Sequence, residues 1–98
     1  MTDADVVVRD HPEVSRYEGL VGEQVAGASY YERGDGVLVF THTEVDPAFE
    51  GQGVGGRLVQ ETLDDVRRRG MHIVARCPFV RAFLERHPEY QDLVAPSP

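Results

Sequence analysis

Short runs of β-branched and aromatic residues, separated by polar turns, dominate the first half of the chain. Such runs are typical of β-strands. They predict four strands, over Val6–Val8, Ser15–Val21, Gln24–Glu32 and Val37–Val45. The segment Asp10–Glu13 contains a His-Pro pair and is expected to end the first strand, and Asp35-Gly36 is a signal for a tight hairpin turn. Strands joined by such short turns pair antiparallel, so we expect a meander.

The second half of the chain changes to the spacing of helices. From Gln52 or Gly53 to Arg69, apolar residues recur every three or four positions, which predicts an amphipathic helix. A fifth strand over Met71–Arg76 follows, and a crossover of this length makes strands four and five parallel neighbours. A second helix is predicted over Pro78–Arg86, with core-facing positions at Phe79, Val80, Phe83, Leu84 and His87. The fold class is therefore α+β, with a mostly antiparallel sheet, one parallel pair and two helices.

A glycine-rich segment joins the fourth strand to the first helix. Its glycines, interleaved with Gln52 and Val54, are Gly51, Gly53, Gly55 and Gly56. Glycine lets another molecule approach the main chain closely, and the N-terminus of the following helix offers unpaired N–H groups and a partial positive charge. Such a combination binds anions, usually phosphate. The alternative is a structural turn that begins an ordinary amphipathic helix.

Composition narrows the classes of function. The 98 residues include 17 acidic and 10 basic ones, a net charge of −7, which argues against a nucleic-acid surface but not against a phosphate held by backbone N–H groups. No apolar run approaches the ~20 residues of a membrane span, and the acidic N-terminus is unlike a signal peptide. The length of the chain predicts one domain, over residues 1–98. The single cysteine excludes an internal disulfide, so we expect a cytoplasmic location. No metal site is expected, because His11, His72 and His87 show no metal-ligand spacing.

The run Glu50-Gly51-Gln52-Gly53-Val54-Gly55 opens the predicted first helix. It resembles the acetyl-CoA signature of the GCN5-related N-acetyltransferase superfamily, Gln/Arg-x-x-Gly-x-Gly/Ala, with Glu50 where Gln or Arg is usual. The predicted order of elements is also similar to that fold: an antiparallel meander, the glycine loop, a helix, a parallel strand and a last helix. The resemblance implies a minimal version of the fold, in which strands four and five splay apart.

A more specific resemblance rests on several short motifs taken together. They are His-Thr-Glu-Val at 42–45, Pro47, the glycine run, Cys77-Pro78-Phe79 and His87-Pro88-Glu89-Tyr90. In this combination, over residues 14–94, the chain looks like the small acetyltransferase-like family that includes the N-acetyltransferase domain-containing protein 1 type. The resemblance implies an acetyl-CoA-dependent N-acetyltransferase whose acceptor is an amine of a peptide, a protein or a small molecule.

The resemblance also implies which residues hold acetyl-CoA, the cosubstrate. The N–H group of Val45 would face the thioester carbonyl in the splay between strands four and five. The pyrophosphate would be held by the loop and the first helical turn, that is by Gln52, Gly53, Val54, Gly55 and Gly56.

Two side chains of the fourth strand are candidates for accepting the proton that an amine must lose. Glu44 and His42 are two residues apart and therefore lie on the same face of the strand. Glu44 is the first candidate because it is closer to the splay. The alternative is that the two residues form a polar pair on a solvated face.

Cys77 lies where the fifth strand ends and the second helix begins, and a helix N-terminus favours a thiolate. It is a candidate to take the acetyl group, to lie beside the thioester, or only to pack as a small apolar residue. Larger acetyltransferases often place a tyrosine in the last helix as the acid for the leaving thiolate, and the comparable residue here is Phe83. The alternative function is therefore a module that binds acetyl-CoA or CoA with little or no transfer.

Overall fold

Five strands form one sheet, in the same order in the sheet as along the chain. The computed structural model of the protein describes residues 5–96. Its strands and α-helices are β1 (Val7–His11), β2 (Arg16–Val21), β3 (Gln24–Arg33), β4 (Val37–Val45), α1 (Val54–Arg68), β5 (His72–Ala75) and α2 (Pro78–Arg86). Three short 3-10 helices lie over Pro12–Val14, Pro47–Phe49 and Pro88–Leu93. Neither α-helix of this described part is long and apolar enough to cross a membrane.

The pairing of the strands confirms the predicted α+β fold. Strands β1 to β4 pair antiparallel with their neighbours. Strands β4 and β5 pair parallel, from Val37 opposite His72 to Phe40 opposite Ala75. Helix α1 forms the crossover between these two strands. The mostly antiparallel sheet, the parallel pair and the two helices are therefore as the sequence predicts.

Strand β1 is longer than predicted. Asp10 pairs with Tyr17, and His11 pairs with Arg16, so the prediction that the His-Pro segment ends the strand earlier is wrong. The ladder continues because His11 still has an N–H group and extended backbone. It stops at Pro12, which has no N–H to donate.

Both α-helices pack against the same face of the sheet, and their buried side chains form one core with the strands beneath them. The helix residues of this core are Leu58, Val59, Leu63, Val66, Val80, Phe83 and Leu84. The sheet residues include Tyr17, Tyr31, Leu38, Phe40 and Ile73. Within residues 5–96 the opposite face of the sheet carries no helix, and we call it the open face.

Helix α2 has the predicted bounds and most of the predicted core positions. Val80, Phe83 and Leu84 are buried. His87 is partly buried, and its ring stacks on Phe83 with 4.1 Å between ring centroids. The prediction for Phe79 is wrong, because this side chain is 36% exposed. It lies in the first turn of α2, where its ring contacts the first turn of α1 instead of the core.

Strand β4 contains one extra residue relative to β3. Consecutive residues of β3 pair with Phe40 and His42, so Thr41 between them has no partner. A bulge of this kind interrupts the two-residue alternation of side chains along a strand. Phe40 therefore faces the helices, whereas His42 and Glu44 beyond the bulge lie on the open face.

The outer edge of β5 is partly covered by the end of the chain. Val94 forms a bridge beside Ile73, and the Ala95 N–H group donates to the Ile73 carbonyl oxygen at 2.8 Å. This contact ties the segment after the last 3-10 helix to the sheet.

Leu58→Ala should lower the free energy of unfolding by about 3–4 kcal/mol, the usual cost of deleting a buried leucine side chain and leaving a cavity. Leu58 is fully buried, and its methyl groups lie against Gly19 and Gly27, which have no side chains to move into the space. Urea unfolding followed by circular dichroism measures the change.

The control is Val14→Ala, at an exposed position, which should change the free energy of unfolding by less than about 0.5 kcal/mol. A loss below about 1 kcal/mol for Leu58→Ala would contradict this packing of α1 on the sheet.

Candidate active site

The glycine-rich loop leads from the end of β4 to the start of α1. The Asp46 carboxylate fixes its beginning, because Oδ1 accepts a hydrogen bond of 2.8 Å from the Ala48 N–H group. Gly51 and Gly53 have φ angles of 81° and 76°, a region that glycine adopts without strain. Among the described residues, no side chain caps α1 and no acidic residue lies in its first turn. The N–H groups of residues 54–56 are therefore available to an anion.

A cleft of about 310 Å³ lies beside this loop, and we call it the loop cleft. Its lining is Val45, Phe49, Glu50, Gly51, Gly53, Val54, Gly55, Gly56 and Phe79. All the residues predicted to contact acetyl-CoA line this cleft except Gln52. The predicted contacts thus come together in one concave surface, although the lining by itself does not show what binds there.

Phe79 forms one side of the loop cleft, and Gly55 makes room for its ring. A Cβ atom at position 55 would lie 2.5 Å from Cζ of Phe79, which is closer than carbon atoms approach. At Gly56, by contrast, no atom lies within 4 Å of the Cβ position, so this part of the helical turn is open. The sequence predicts the glycines but not Phe79, because the contact is tertiary and the residue belongs to α2.

Strand β4 has a free edge beyond Phe40, on the side of β5. The Cys77 N–H group donates to the Phe40 carbonyl oxygen at 3.0 Å, and within the described residues the pairing of β5 with β4 goes no further. On the other side of β4, the Asp46 N–H group donates to the Ala26 carbonyl oxygen at 2.8 Å. Successive residues of a strand point their N–H groups to alternate sides, so the Val45 N–H points into the gap that β5 leaves. The predicted splay of strands four and five is confirmed.

The Glu44 carboxylate is held at both oxygens on the open face. Oε1 lies 3.2 Å from Nε2 of His42, and Oε2 accepts a hydrogen bond of 3.2 Å from the Tyr30 hydroxyl. The Tyr30 hydroxyl accepts a hydrogen bond of 2.9 Å from Arg16. More than half of the Glu44 side chain is exposed, so the carboxylate is oriented and still accessible. The sequence predicts the pair of His42 and Glu44. It does not reveal Tyr30 and Arg16, which join the pair across strands.

Arg16 connects Tyr30 and Glu44 to a buried carboxylate, that of Glu18. Glu18 lies on the open face and is nevertheless only 1% exposed, because Arg9, Arg16 and His11 surround it. Burial acts to raise the pKa of Glu18. Hydrogen bonds from His11, Arg16 and Arg9 outweigh burial and lower this pKa to about 2. Glu18 therefore stays ionised and anchors Arg16, with Nε of Arg16 2.8 Å from Oε2.

Cys77 lies on the other face of the sheet from His42 and Glu44. Its thiol is buried in the core between the helices and the sheet, and it donates to Oγ1 of Thr43 at 3.3 Å. Thr43 stands between His42 and Glu44 in β4 and points to the opposite side. The structure thus brings two of the three predicted catalytic residues together and separates Cys77 from them.

The sequence profile of one known family matches most of the chain, over residues 16–93, and that family is the GCN5-related N-acetyl-transferases. The chain belongs to this family. A solved relative of the fold is the NMR solution structure of a GCN5-like N-acetyltransferase candidate from Staphylococcus aureus. It superimposes with a TM-score of 0.67 at 22% sequence identity, covering 100% of this chain and 94% of that chain. A comparison with curated proteins gives no match.

In this GCN5-related protein, neither Phe83 nor Tyr90 is suited to protonate a leaving thiolate. Phe83 is buried and has no hydroxyl group. The Tyr90 hydroxyl donates to Oδ1 of Asp64 at 2.7 Å. Burial and this hydrogen bond raise the pKa of Tyr90 to about 12, so it is a weak proton donor.

Glu18→Gln should make the stability of the protein less sensitive to acid. The pKa of Glu18 is about 2 in the folded chain and 4.5 ordinarily, so the ionised carboxylate stabilises the fold above pH 4.5. This stabilisation is lost as the pH falls through 4.5 toward 2, and it amounts to about 3–4 kcal/mol at ~1.4 kcal/mol per pKa unit. Urea unfolding at a series of pH values should show the difference between the natural chain and Glu18→Gln shrinking by that amount.

The matched control is Glu32→Gln, at an exposed position of β3, whose difference from the natural chain should stay nearly constant over the same pH range. A pH-independent difference for Glu18→Gln would show that Arg9, Arg16 and His11 do not hold the carboxylate ionised.

Proposed function

We propose that this protein transfers the acetyl group of acetyl-CoA to an amine, and that it is of the N-acetyltransferase domain-containing protein 1 type. The position of Val45 is the observation that supports this most. Val45 lines the loop cleft, and its N–H group points into the gap left by β5. Its neighbour Glu44 carries an oriented carboxylate on the open face. An acyl donor and a proton acceptor would therefore meet at one point of β4.

The residues of the loop cleft fit acetyl-CoA. The free N–H groups of residues 54–56 lie at the positive end of α1, which suits a pyrophosphate. Phe49 and Phe79 offer apolar surface for the pantetheine arm, and the free edge of β4 offers backbone groups to its amides. Glu50 is the one acidic residue of the lining, and its side chain is exposed to solvent. Its charge would weaken the binding of phosphate without blocking the cleft.

The reaction would be a direct acyl transfer. When bound, acetyl-CoA supplies an acetyl thioester, and a C–N bond to the amine forms as the C–S bond breaks and CoA leaves as the thiolate. An ammonium group loses two protons on becoming an amide: one restores the thiol of CoA and the other is released to water.

Four residues of the chain have roles in this proposal. The Val45 N–H would donate to the thioester carbonyl oxygen and stabilise the negative charge that develops on it. Glu44 would accept a proton from the amine, directly or through a water, and pass it to solvent across its exposed side. Tyr30 and His42 would keep the carboxylate in position for this transfer.

Cys77 has a passive part in this mechanism. Its buried thiol is hydrogen-bonded to Thr43 on the face away from Glu44, which disfavours an acetyl-cysteine intermediate. We place the thiol beside the thioester, because Cys77 follows β5 where the splay begins. One buried free cysteine also suits the proposed cytoplasmic location.

Acetyl-CoA should bind with a micromolar Kd in isothermal titration calorimetry, and Gly56→Glu should weaken this binding at least about tenfold. The added carboxylate would lie beside the N–H groups that hold the pyrophosphate. The space around position 56 is open, so the substitution should leave the fold intact. Glu50→Gln should act in the opposite direction and tighten binding about threefold, because it removes an exposed negative charge from the cleft.

Gly56→Gln is the matched control, because it adds a side chain of the same size without the charge. It should weaken binding by less than about threefold. Equal losses for Gly56→Glu and Gly56→Gln would argue that the helix N-terminus does not bind the phosphates. An absence of binding at millimolar acetyl-CoA would remove the basis of the proposed function.

Glu44→Gln should lower kcat for acetyl transfer by about 100-fold while leaving the Kd of acetyl-CoA unchanged, because it removes only the proton acceptor. The release of CoA thiol in the presence of a panel of primary amines measures transfer. Cys77→Ala should keep kcat within about threefold of the natural chain, since no bond to sulfur forms in the direct route.

Unchanged transfer in Glu44→Gln would reject Glu44 as the proton acceptor, and loss of transfer in Cys77→Ala would favour the covalent route. Tight binding of acetyl-CoA without transfer to any amine would identify a binding module.

A further inference from the structure

A second cleft, also of about 310 Å³, opens beside Glu44 where β3 begins and β4 ends, and we call it the strand-end cleft. Val45 lines this cleft as well as the loop cleft. The two clefts therefore meet across β4 at one residue. The strand-end cleft has no part in holding acetyl-CoA as described above.

We propose that the strand-end cleft binds the acceptor, and that the acceptor is a primary ammonium group at the end of an unbranched aliphatic arm, such as a lysine side chain. This inference rests on the proposed function and extends it, because it assigns the acceptor a place and a chemical class. Charge, shape and the position of Glu44 each support it.

The charge of the cleft favours a cation. Glu44 and Asp46 both line it, and Arg16 is the only basic residue of its lining. The Arg16 guanidinium is already occupied, because it contacts Glu18 through Nε and one terminal nitrogen and donates to Tyr30 through the other. The lining therefore carries two carboxylates against this one guanidinium, which leaves the cleft negative.

The shape of the cleft favours a slender arm. Ala28 lies in the cross-strand row between Glu18 and Glu44, so the β3 residue directly opposite Glu44 adds only a methyl group to the sheet surface. Val25 and Pro47 add apolar surface on the way out to solvent. The volume is at the small end of the range for ligand pockets, about 300–1,000 Å³, and it leaves room for an alkylammonium arm.

The position of Glu44 explains why an ammonium group would bind in the strand-end cleft. A cation bound against this carboxylate would lie next to the group that must take its proton. From the same cleft it would reach the gap beside Val45, into which the thioester carbonyl is proposed to point. Glu44 would then both bind the ammonium group by charge and accept its proton.

The test is an NMR titration of the full 15N-labelled chain with n-butylammonium chloride, with and without saturating CoA. Butylammonium should cause saturable shifts of the amide signals of Gly27, Ala28 and Val45. 1-Butanol, which has the same arm without the charge, and sodium butyrate, which reverses the charge, should cause none that saturate.

Two exposed valines supply a matched pair of variants. Val25 and Val7 lie on either side of Leu20 in the same cross-strand row, but only Val25 lines the cleft. Val25→Lys places a cation at the cleft and should weaken the binding of butylammonium at least about fivefold. Val7→Lys adds the same charge outside the cleft and should change the Kd by less than about twofold. Both positions are exposed, so neither lysine has to be buried.

Calorimetry with acetyl-CoA on the same variants separates this inference from the proposed function. Val25→Lys should bind acetyl-CoA as the natural chain does, and a failure of acetyl-CoA to bind any variant would count against the proposed function alone. The acceptor cleft would be rejected if shifts mapped to the loop cleft or to another surface outside the strand-end cleft, if butanol gave equal shifts, or if Val25→Lys left the Kd unchanged.

Discussion

One unpaired residue, Thr41, decides what each face of the sheet carries. Without this bulge, the alternation that buries Leu38 and Phe40 under the helices would also turn His42 and Glu44 toward the core. With it, these polar side chains lie on the open face, while Thr43 and Val45 face the helices. β5 stops pairing at Phe40, immediately before the bulge. The reversal of faces and the opening of the sheet therefore occur together, and the candidate site exists because they do.

The features that the sequence predicts correctly are those set by neighbouring residues. Strand runs, the helical period of α1, the proline at the start of α2 and the glycine loop are local signals, and the parallel pair follows from the crossover between strands. The features that it misses depend on register between strands or on packing between helices. No pattern within β4 marks Thr41 as an extra residue, so the sequence does not show that the sheet separates Cys77 from Glu44. The helical position of Phe79 allows it to face the core, and its close approach to Gly55 depends on how α2 packs against α1, which the sequence does not show.

A network of charged side chains covers the open face, on which no helix of the described residues packs. Glu18 is buried there by the side chains that neutralise it, and the network continues through Arg16 and Tyr30 to Glu44. Such a network works only if every member is satisfied, since a buried charge without a partner is strongly unfavourable. The same contacts thus serve two purposes: they stabilise the side of the sheet that lacks an apolar cover, and they fix the carboxylate proposed to take a proton. Substitutions that weaken the network are therefore expected to affect both the stability of the sheet and the orientation of the Glu44 carboxylate.

The bond from Ala95 to Ile73 has a consequence for how copies of this chain meet. A sheet that ends in an uncovered strand presents a row of carbonyl and N–H groups, which another strand can extend into a fibre. Val94 and Ala95 lie along β5 and use the Ile73 carbonyl, so this border of the sheet is already occupied. The opposite border, β1, ends at a proline and carries Arg9 and Asp10, and both features discourage the addition of strands. Both borders of the described sheet are thus partly protected against edge-to-edge polymerisation.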